Sequence, residues 1–312
     1  MTKAFSLRLA EAVLAKRSHL IVGLDPRTAL LPPALATKWR SELGETLEAA
    51  ARATLEFNRG LIDALADIIP AVKPQLACYE QLGVHGMAAL AATIEYASAQ
   101  GLLVIADGKR NDIGSTAESY ADAYLGETTF GDLTERAFAA DALTVNPYLG
   151  EDSLSPMLER GKSFGRGIFV LVKTSNPGSK ELQDLDCGGR KVYEIVGEMC
   201  HRLGLPHLDE RGYSPVGAVV GATYPGEAAR LRGLMPHNYF LVPGFGAQGG
   251  KPSDVVPCFN PDGLGAVVNS AREVIFAYHK HGGDYRDAAR RVAEASRAAI
   301  NQALAEVKRL AW

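Results

Sequence analysis

Short, almost continuously apolar runs alternate along the chain with longer segments in which apolar residues recur at helical spacing. Eight such runs occupy residues 19–24, 71–75, 102–107, 142–147, 167–173, 216–222, 239–243 and 266–270. Runs that are apolar throughout, instead of alternating with polar residues, are typical of parallel strands buried on both faces. The pattern therefore predicts eight strands of a buried parallel sheet.

The segments between the runs predict helices. Apolar residues at helical spacing cover residues 45–66, 84–99, 114–124, 191–203, 225–233 and 285–309, and the first 20 residues predict an amphipathic helix. Eight strands alternating with helices favour an α/β fold, a single-domain (β/α)₈ TIM barrel over residues 1–312. A doubly wound open sheet is the alternative. Its first turn often carries GxGxxG, whereas this chain has LDPR there.

Two segments depart from the strand–helix repeat. Residues 125–136 follow the third helical pattern, and residues 176–190 form a turn-rich stretch after the fifth strand. At this position in a barrel, residues 176–190 are as typical of an active-site lid as of an ordinary surface loop.

Composition narrows the class of protein. The chain has 312 residues, 47% hydrophobic and 22% charged, the balance of an ordinary globular protein. Its formal net charge is −3, and no long run of like charge indicates a nucleic-acid-binding tail. No segment is long and apolar enough to span a membrane, and the N-terminus does not resemble a signal peptide. We therefore expect a soluble cytoplasmic protein without nucleic-acid or membrane partners.

The cysteines and histidines do not indicate a metal site. Cys78, Cys187, Cys200 and Cys258 are widely separated, which suits a reducing compartment, and no Cys/His group has zinc spacing. The seven histidines form no HExxH pattern. The sequence therefore predicts neither a metal nor a cofactor.

Charged residues collect where the predicted strands end, which is where TIM barrels carry their functional residues. Asp25 follows the first strand, Lys73 lies in the second, and Asp107 and Lys109 end the third. Asp107 and Lys109 are two apart on a strand, so their side chains point the same way. We expect these four side chains to meet at one end of the barrel.

Asp112 and Thr116 follow at the start of the next helix, where their spacing of four puts them on one face. A lysine between two carboxylates stays protonated because opposite charges favour the ammonium form, and it can deliver a proton. An ordinary ion pair at the barrel rim explains this segment equally well when it is taken alone. Lys73 and Asp25 on neighbouring strands favour the catalytic interpretation.

A second group of residues predicts phosphate binding. The loop PGFGAQGG, residues 243–250, follows the seventh strand, and Arg272 follows the eighth. Glycine-rich loops expose backbone N–H groups to phosphate, and barrels often bind phosphate between these two loops. Ser175 and Asn176, in TSNPG after the fifth strand, can hydrogen-bond a polar ring, although loop capping is an equal explanation.

The segment DGKRNDIGST, from Asp107 to Thr116, resembles the D-x-K-x-x-D-I-x-x-T signature of the orotidine 5′-phosphate decarboxylase family. VGLDPR around Asp25, AVKPQ around Lys73, VPGFGAQGG and NSAR match the same family in the same order. The resemblance covers residues 19–280, and TSNPG together with the length is similar to the longer bacterial branch of the family.

The resemblance implies decarboxylation of orotidine 5′-monophosphate to uridine 5′-monophosphate and CO₂, the last step of de novo pyrimidine synthesis, without a cofactor. It implies a homodimer in which Asp112 and Thr116 reach into the partner's site. It also implies that Lys109 protonates C6 of the pyrimidine as CO₂ leaves, and that Asp107 lies beside the substrate carboxylate.

The remaining implied contacts hold the substrate. Lys73 and Asp25 bind ribose hydroxyls, and Lys73 also completes the charged network. Ser175 contacts the pyrimidine. The other implied substrate contacts, chiefly to the phosphate, are Pro243, Gln248, the backbone near Gly249, and Arg272.

Two other functions fit parts of the pattern. A metal-dependent sugar-phosphate decarboxylase or aldolase shares D-x-K-x-x-D, but such enzymes carry an acidic Mg²⁺ ligand on the second strand, where this chain has Lys73. A catalytically silent nucleotide-binding barrel is possible because a fold does not determine a function. The complete charged set favours an enzyme over the silent barrel.

Overall fold

A computed structural model describes residues 2–245 and 251–312. In chain order its strands are β1 (Leu20–Leu24), β2 (Ala71–Pro74), β3 (Leu103–Arg110), β4 (Thr128–Phe130), β5 (Leu133–Glu135), β6 (Ala142–Val145), β7 (Gly167–Lys173), β8 (Ser214–Val220), β9 (Asn238–Val242) and β10 (Ala266–Ser270). Eight of them form a closed parallel barrel in the order β1-β10-β9-β8-β7-β6-β3-β2. The predicted barrel is confirmed, and the strand ends differ from the predicted ones by a few residues.

The helices lie mostly between these strands along the chain, with one before β1 and three after β10. They are α1 (Phe5–Lys16), α2 (Pro33–Leu43), α3 (Leu47–Leu65), α4 (Ala77–Glu80), α5 (Gly83–Ala99), α6 (Gly114–Tyr124), α7 (Ser155–Ser163), α8 (Lys180–Gln183), α9 (Val192–Gly204), α10 (Pro225–Leu234), α11 (Pro252–Val255), α12 (Arg272–Ile275), α13 (Ala277–His281) and α14 (Tyr285–Glu306). Every predicted helix is present. In the part of the chain that the structure describes, no helix is long and apolar enough to cross a membrane.

Each strand contributes to two apolar layers because its side chains alternate between the two faces of the sheet. In β1, Leu20, Val22 and Leu24 pack in the layer between the barrel and the helices. Ile21 points inward and belongs to a second cluster that also contains Phe169 and α1. The double burial explains why the strands are almost entirely apolar in sequence.

Helix α1 closes the end of the barrel where the strands begin. Phe5 packs edge-on against Phe169, with ring centroids 5.8 Å apart. Arg8 forms an ion pair with Asp141, at 2.6 Å, and Asp141 is the residue that precedes β6. Since α1 fills this end, the opposite end, where the strands finish, is left for the functional site.

The two segments that depart from the repeat have defined structures. Residues 128–135 form an antiparallel hairpin, β4 with β5, outside the barrel. The turn-rich segment 176–190 contains α8, and it is tied to the end of β7 by the buried Lys173, which forms an ion pair with Asp184.

Candidate active site

A cavity of about 320 Å³ opens at the ends of the strands. Eight of the residues singled out in the sequence line it, and they are Asp25, Lys73, Asp107, Lys109, Ser175, Asn176, Pro243 and Arg272. The fold therefore gathers residues from six different strand ends into one site. Gln248 and Gly249 lie outside the described residues.

Asp107 is the centre of the site, and four side chains donate hydrogen bonds to its carboxylate. Lys109 Nζ lies 2.6 Å and Thr144 Oγ1 2.9 Å from Oδ1. Gln75 Nε2 lies 3.0 Å from Oδ2, which also accepts from Lys73 Nζ. Asp107 and Lys73 are both buried, so this is a rigid charged cluster rather than a pair of solvated surface ions.

The charges in the cluster stabilise one another. Burial by itself would raise the pKa of Asp107, but the two lysines lower it well below its usual range. Burial opposes the charged form of Lys73, yet the attraction of Asp107 and Asp25 outweighs it and raises the pKa of Lys73. Both groups are therefore ionised at neutral pH, and the carboxylate holds the two ammonium groups in place.

Lys109 combines a fixed position with access to the cavity. Its side chain is 45% exposed, whereas that of Asp107 is 9% exposed. Its backbone φ is +50°, in the left-handed region that residues other than glycine rarely adopt. A strained backbone at a charged residue in a cavity is typical of a functional site.

Asp25 lies at the other side of Lys73, with Oδ1 at 4.0 Å from Lys73 Nζ. Among the described residues, this buried oxygen has no hydrogen-bond partner. Asn269 Oδ1, in β10, is also buried in the cavity lining without a partner in that part of the chain. Buried oxygens of this kind can accept hydrogen bonds from a ligand with hydroxyl groups.

The wall after β7 is held by α8. Thr174 N donates to Gln183 Oε1 at 2.9 Å, and Gln183 Nε2 donates back to Thr174 Oγ1 at 2.8 Å. Thr174 Oγ1 also donates to Asn176 Oδ1 at 2.6 Å. Ser175 and Asn176 are therefore presented to the cavity by a braced segment.

Asp112 and Thr116 do not join this cavity in a single chain. Asp112 Oδ1 accepts from the backbone N–H of Ile113 at 2.8 Å, and Thr116 lines a separate groove beside Arg110 and Tyr120. Among the described residues of one chain, the only carboxylate in an ion pair with Lys109 is that of Asp107. The sequence suggested that Lys109 lies between Asp107 and Asp112. Within one chain this prediction is wrong, because Asp112 does not reach Lys109.

The polar residues of the cavity lining that were given no individual role from the sequence include Gln75, Thr144 and Asn269. Two of them, Gln75 and Thr144, have a recognisable feature in the sequence. Gln75 follows Lys73 at the strand spacing of two, and Thr144 is a polar residue inside the apolar run 142–147. Their hydrogen bonds to a carboxylate on another strand depend on tertiary contact and have no sequence pattern.

Comparison with known proteins gives one consistent result. Residues 18–281 match the family described as orotidine 5′-phosphate decarboxylase / HUMPS. The chain is 50% identical over 277 residues to the orotidine 5′-phosphate decarboxylase of Rhodopirellula baltica, covering 88% of this chain and 89% of that one. It is 41% identical over 277 residues to that of Caldicellulosiruptor bescii, covering 89% and 91%.

A solved structure agrees. The OMP decarboxylase of Leishmania donovani is 34% identical and superimposes with a TM-score of 0.71, covering 95% of this chain and 98% of that one.

Among residues 2–245 and 251–312, no group of three or more His, Cys, Asp or Glu side chains is arranged to hold a metal ion.

Proposed function

This chain belongs to the orotidine 5′-phosphate decarboxylase family and decarboxylates orotidine 5′-monophosphate to uridine 5′-monophosphate in pyrimidine biosynthesis, and we propose that Lys109 is its proton donor. The observation that carries the proposal is the Lys109 ammonium, 2.6 Å from a buried carboxylate and exposed to the cavity.

The reaction leaves an electron pair on a ring carbon. When the bond between C6 and the carboxylate breaks, CO₂ departs and the pair stays on C6 without a covalent electron sink. The fixed ammonium of Lys109 stabilises that developing charge, and one of its protons forms the new C6–H bond. The lysine then regains a proton from water. Charge that is already in place before the reaction is usually the largest catalytic contribution.

Asp107 and Lys73 hold the donor. Asp107 accepts from both lysines, so the Lys109 ammonium cannot swing away without losing a charge-assisted hydrogen bond. In the proposed complex the substrate carboxylate lies beside Asp107. Asp25 and Lys73 bind the ribose hydroxyls, a proposal supported by the unpartnered buried oxygen of Asp25.

The two ends of the substrate are held by different loops. We assign the pyrimidine to Ser175, on the braced segment after β7, and the phosphate to Arg272 beside Pro243. Arg272 is exposed at the cavity edge, and among the described residues it forms no ion pair. Gln248 and the backbone near Gly249 complete the proposed phosphate site. Because the phosphate lies far from C6, its binding energy serves orientation.

We further propose a homodimer in which Asp112 and Thr116 complete the partner's site. β3 lies between β2 and β6, so the loops that follow these three strands share one rim of the barrel. An apolar side chain is exposed after each of these strands, and these are Val84 in α5 (79% exposed), Ile113 (53%) and Tyr148 (76%). A two-fold contact through this rim buries them and repeats every contact reciprocally.

Replacing the proposed donor tests its role. Lys109→Ala removes both the proton donor and the positive charge, so kcat should fall by more than the roughly 10²–10⁴-fold that is typical of losing general acid catalysis alone. Decarboxylation is measured by the absorbance change from substrate to product, and circular dichroism verifies the fold.

Lys308→Ala is the matched control. Lys308 shares the left-handed backbone, with φ +58°, but it is an exposed residue beyond α14 and does not line the cavity. Its replacement should leave kcat unchanged. If Lys109→Ala stays within tenfold of the wild-type rate, Lys109 is not the proton donor.

A further inference from the structure

We infer that Thr144 is a positioning residue that fixes Lys109, an inference that rests on the proposed role of Lys109. Thr144 lies in β6, in the wall of the cavity, and is 1% exposed. Its hydroxyl contacts Asp107 and the backbone of Lys109, and it therefore links the two residues on which the chemistry depends.

The contact arises from a bulge in the barrel. β3 pairs with β6 through Ala106↔Leu143 and then through Arg110↔Val145, with a shift of register between them. Residues 107–109 of β3 are therefore opposite a single residue of β6, Thr144. Bulges of this kind bend a strand and redirect its side chains, and they are common beside active sites.

At the bulge, the hydroxyl of Thr144 takes the place of a backbone acceptor in the hydrogen bonding between β3 and β6. The backbone N–H of Lys109 donates to Thr144 Oγ1 at 2.9 Å. The same hydroxyl donates its proton to Asp107 Oδ1 at 2.9 Å, and this oxygen also accepts from Lys109 Nζ at 2.6 Å. The three groups form a closed ring of hydrogen bonds that runs from the Lys109 backbone to its own ammonium.

The ring explains how Lys109 keeps its unfavourable backbone. A φ of +50° costs free energy for a residue with a side chain, so the surrounding contacts must hold it. Gly108 packs closely within the bulge, since a Cβ there would lie 2.6 Å from Leu76 Cδ2. Without the Thr144 hydroxyl, the bulge is free to relax, and the ammonium moves relative to Asp107 and to C6 of the substrate.

Three variants separate the hydroxyl from the methyl group of Thr144. Thr144→Val keeps the shape and can neither accept nor donate, whereas Thr144→Ser keeps both functions of the hydroxyl. We expect Thr144→Val to lower kcat about 10- to 100-fold, the range expected for one hydrogen bond to a charged group. KM should stay within about threefold because the substrate-binding groups are untouched. Thr144→Ser should recover most of kcat because it keeps the hydroxyl. If Thr144→Val does not fold, Thr144→Ala, which creates no steric conflict, should show the same loss.

Thr93→Val is the control for a structural effect. Thr93 is also fully buried, and its hydroxyl donates to Ala89 O at 2.7 Å in α5, away from the cavity. This variant should lower the melting temperature and leave kcat near that of the wild type. A merely structural role for Thr144 would give the same result as Thr93→Val, with stability lost and kcat retained.

Lys109→Ala is measured in parallel so that the two proposals can fail separately. If Lys109→Ala is inactive while Thr144→Val keeps the wild-type kcat, the inference about Thr144 is overturned and the role of Lys109 stands. If Lys109→Ala remains active, both are overturned. A loss of kcat in Thr144→Val that Thr144→Ser does not recover also overturns the inference, because the hydroxyl is then not the group that matters.

Discussion

At the residue scale, one carboxylate organises the site. Asp107 is buried, yet it stays ionised because two lysines, an amide and a hydroxyl donate to it. Removing one partner of such a buried group usually destabilises a protein strongly, since an uncompensated charge remains. The arrangement is therefore expected to tolerate few substitutions, and we propose that it places charge around the substrate.

Arg272 tests the phosphate site. Arg272→Ala should lower kcat/KM for orotidine 5′-monophosphate by about 10- to 150-fold, because a hydrogen bond to a charged group is worth about 1.5–3 kcal/mol. The much slower reaction of the unphosphorylated nucleoside should be unaffected, because that substrate has no phosphate to lose.

Arg211→Ala is the matched control, since Arg211 is exposed and does not line the cavity. It should not change the rate with either substrate. Equal losses with the phosphorylated and unphosphorylated substrates in Arg272→Ala would show that Arg272 does not bind phosphate.

At the scale of elements, the segments that the sequence predicts are mostly those that bury an apolar face. The eight strands and the long helices follow from apolar runs and helical spacing. Helix α2 was not predicted, and the reason is physical: none of its residues is buried. Helix α7 was not predicted either, and it is only nine residues long with a proline at its second position.

The site was predictable only in part, for a similar reason. Asp25, Lys73, Asp107, Lys109 and Arg272 are charged residues at strand ends, where a barrel needs no charge for packing. Thr144 contacts Asp107 and Lys109 at a bulge in β3, and a bulge depends on the pairing of two strands. Sequence periodicity carries no information on such a local shift of register.

A buried histidine at the closed end of the barrel is expected to make the stability of the protein depend on pH. His19, just before β1, lies between Phe259, at 4.7 Å, and Trp312, at 5.1 Å between ring centroids. Burial lowers the pKa of His19 from 6.5 to about 3. Below pH 6.5 the unfolded chain therefore takes up a proton that the folded protein excludes, so stability falls as the pH decreases toward 3.

His19→Phe should remove this contribution. Between pH 7 and pH 5 the wild type should lose about 2 kcal/mol of unfolding free energy through His19, at about 1.4 kcal/mol per pH unit below 6.5. Urea denaturation at the two pH values measures the loss, and the exposed His85→Phe is the control. A loss in His19→Phe as large as that of the wild type would contradict the assignment.

At the scale of the whole molecule, the charge of the cavity lining is opposite in sign to the net charge of the chain. The chain carries a formal net charge of −3. The charged residues in the described lining of the cavity are three cations, Lys73, Lys109 and Arg272, and two anions, Asp25 and Asp107. A locally positive cavity in an acidic protein favours a small anionic substrate over a polyanion such as nucleic acid.

We propose that decarboxylation depends on a charged network made of Lys109 from one chain and Asp112 from its partner. Asp112 does not line the cavity of its own chain, although it is three residues from Lys109 in the sequence. A symmetric dimer through the rim formed by the loops after β2, β3 and β6 would bring it to the neighbouring site.

Subunit mixing measures this directly. Lys109→Ala and Asp112→Ala are each expected to be inactive, and they are mixed after dissociation and allowed to reassociate. Half of the dimers formed at random are mixed, and in each mixed dimer one of the two sites contains both native residues. Activity should therefore recover to about a quarter of the wild-type value if the assembly is a closed dimer. A mixture that stays as inactive as its parents, although mass spectrometry shows that subunits have exchanged, would contradict the claim.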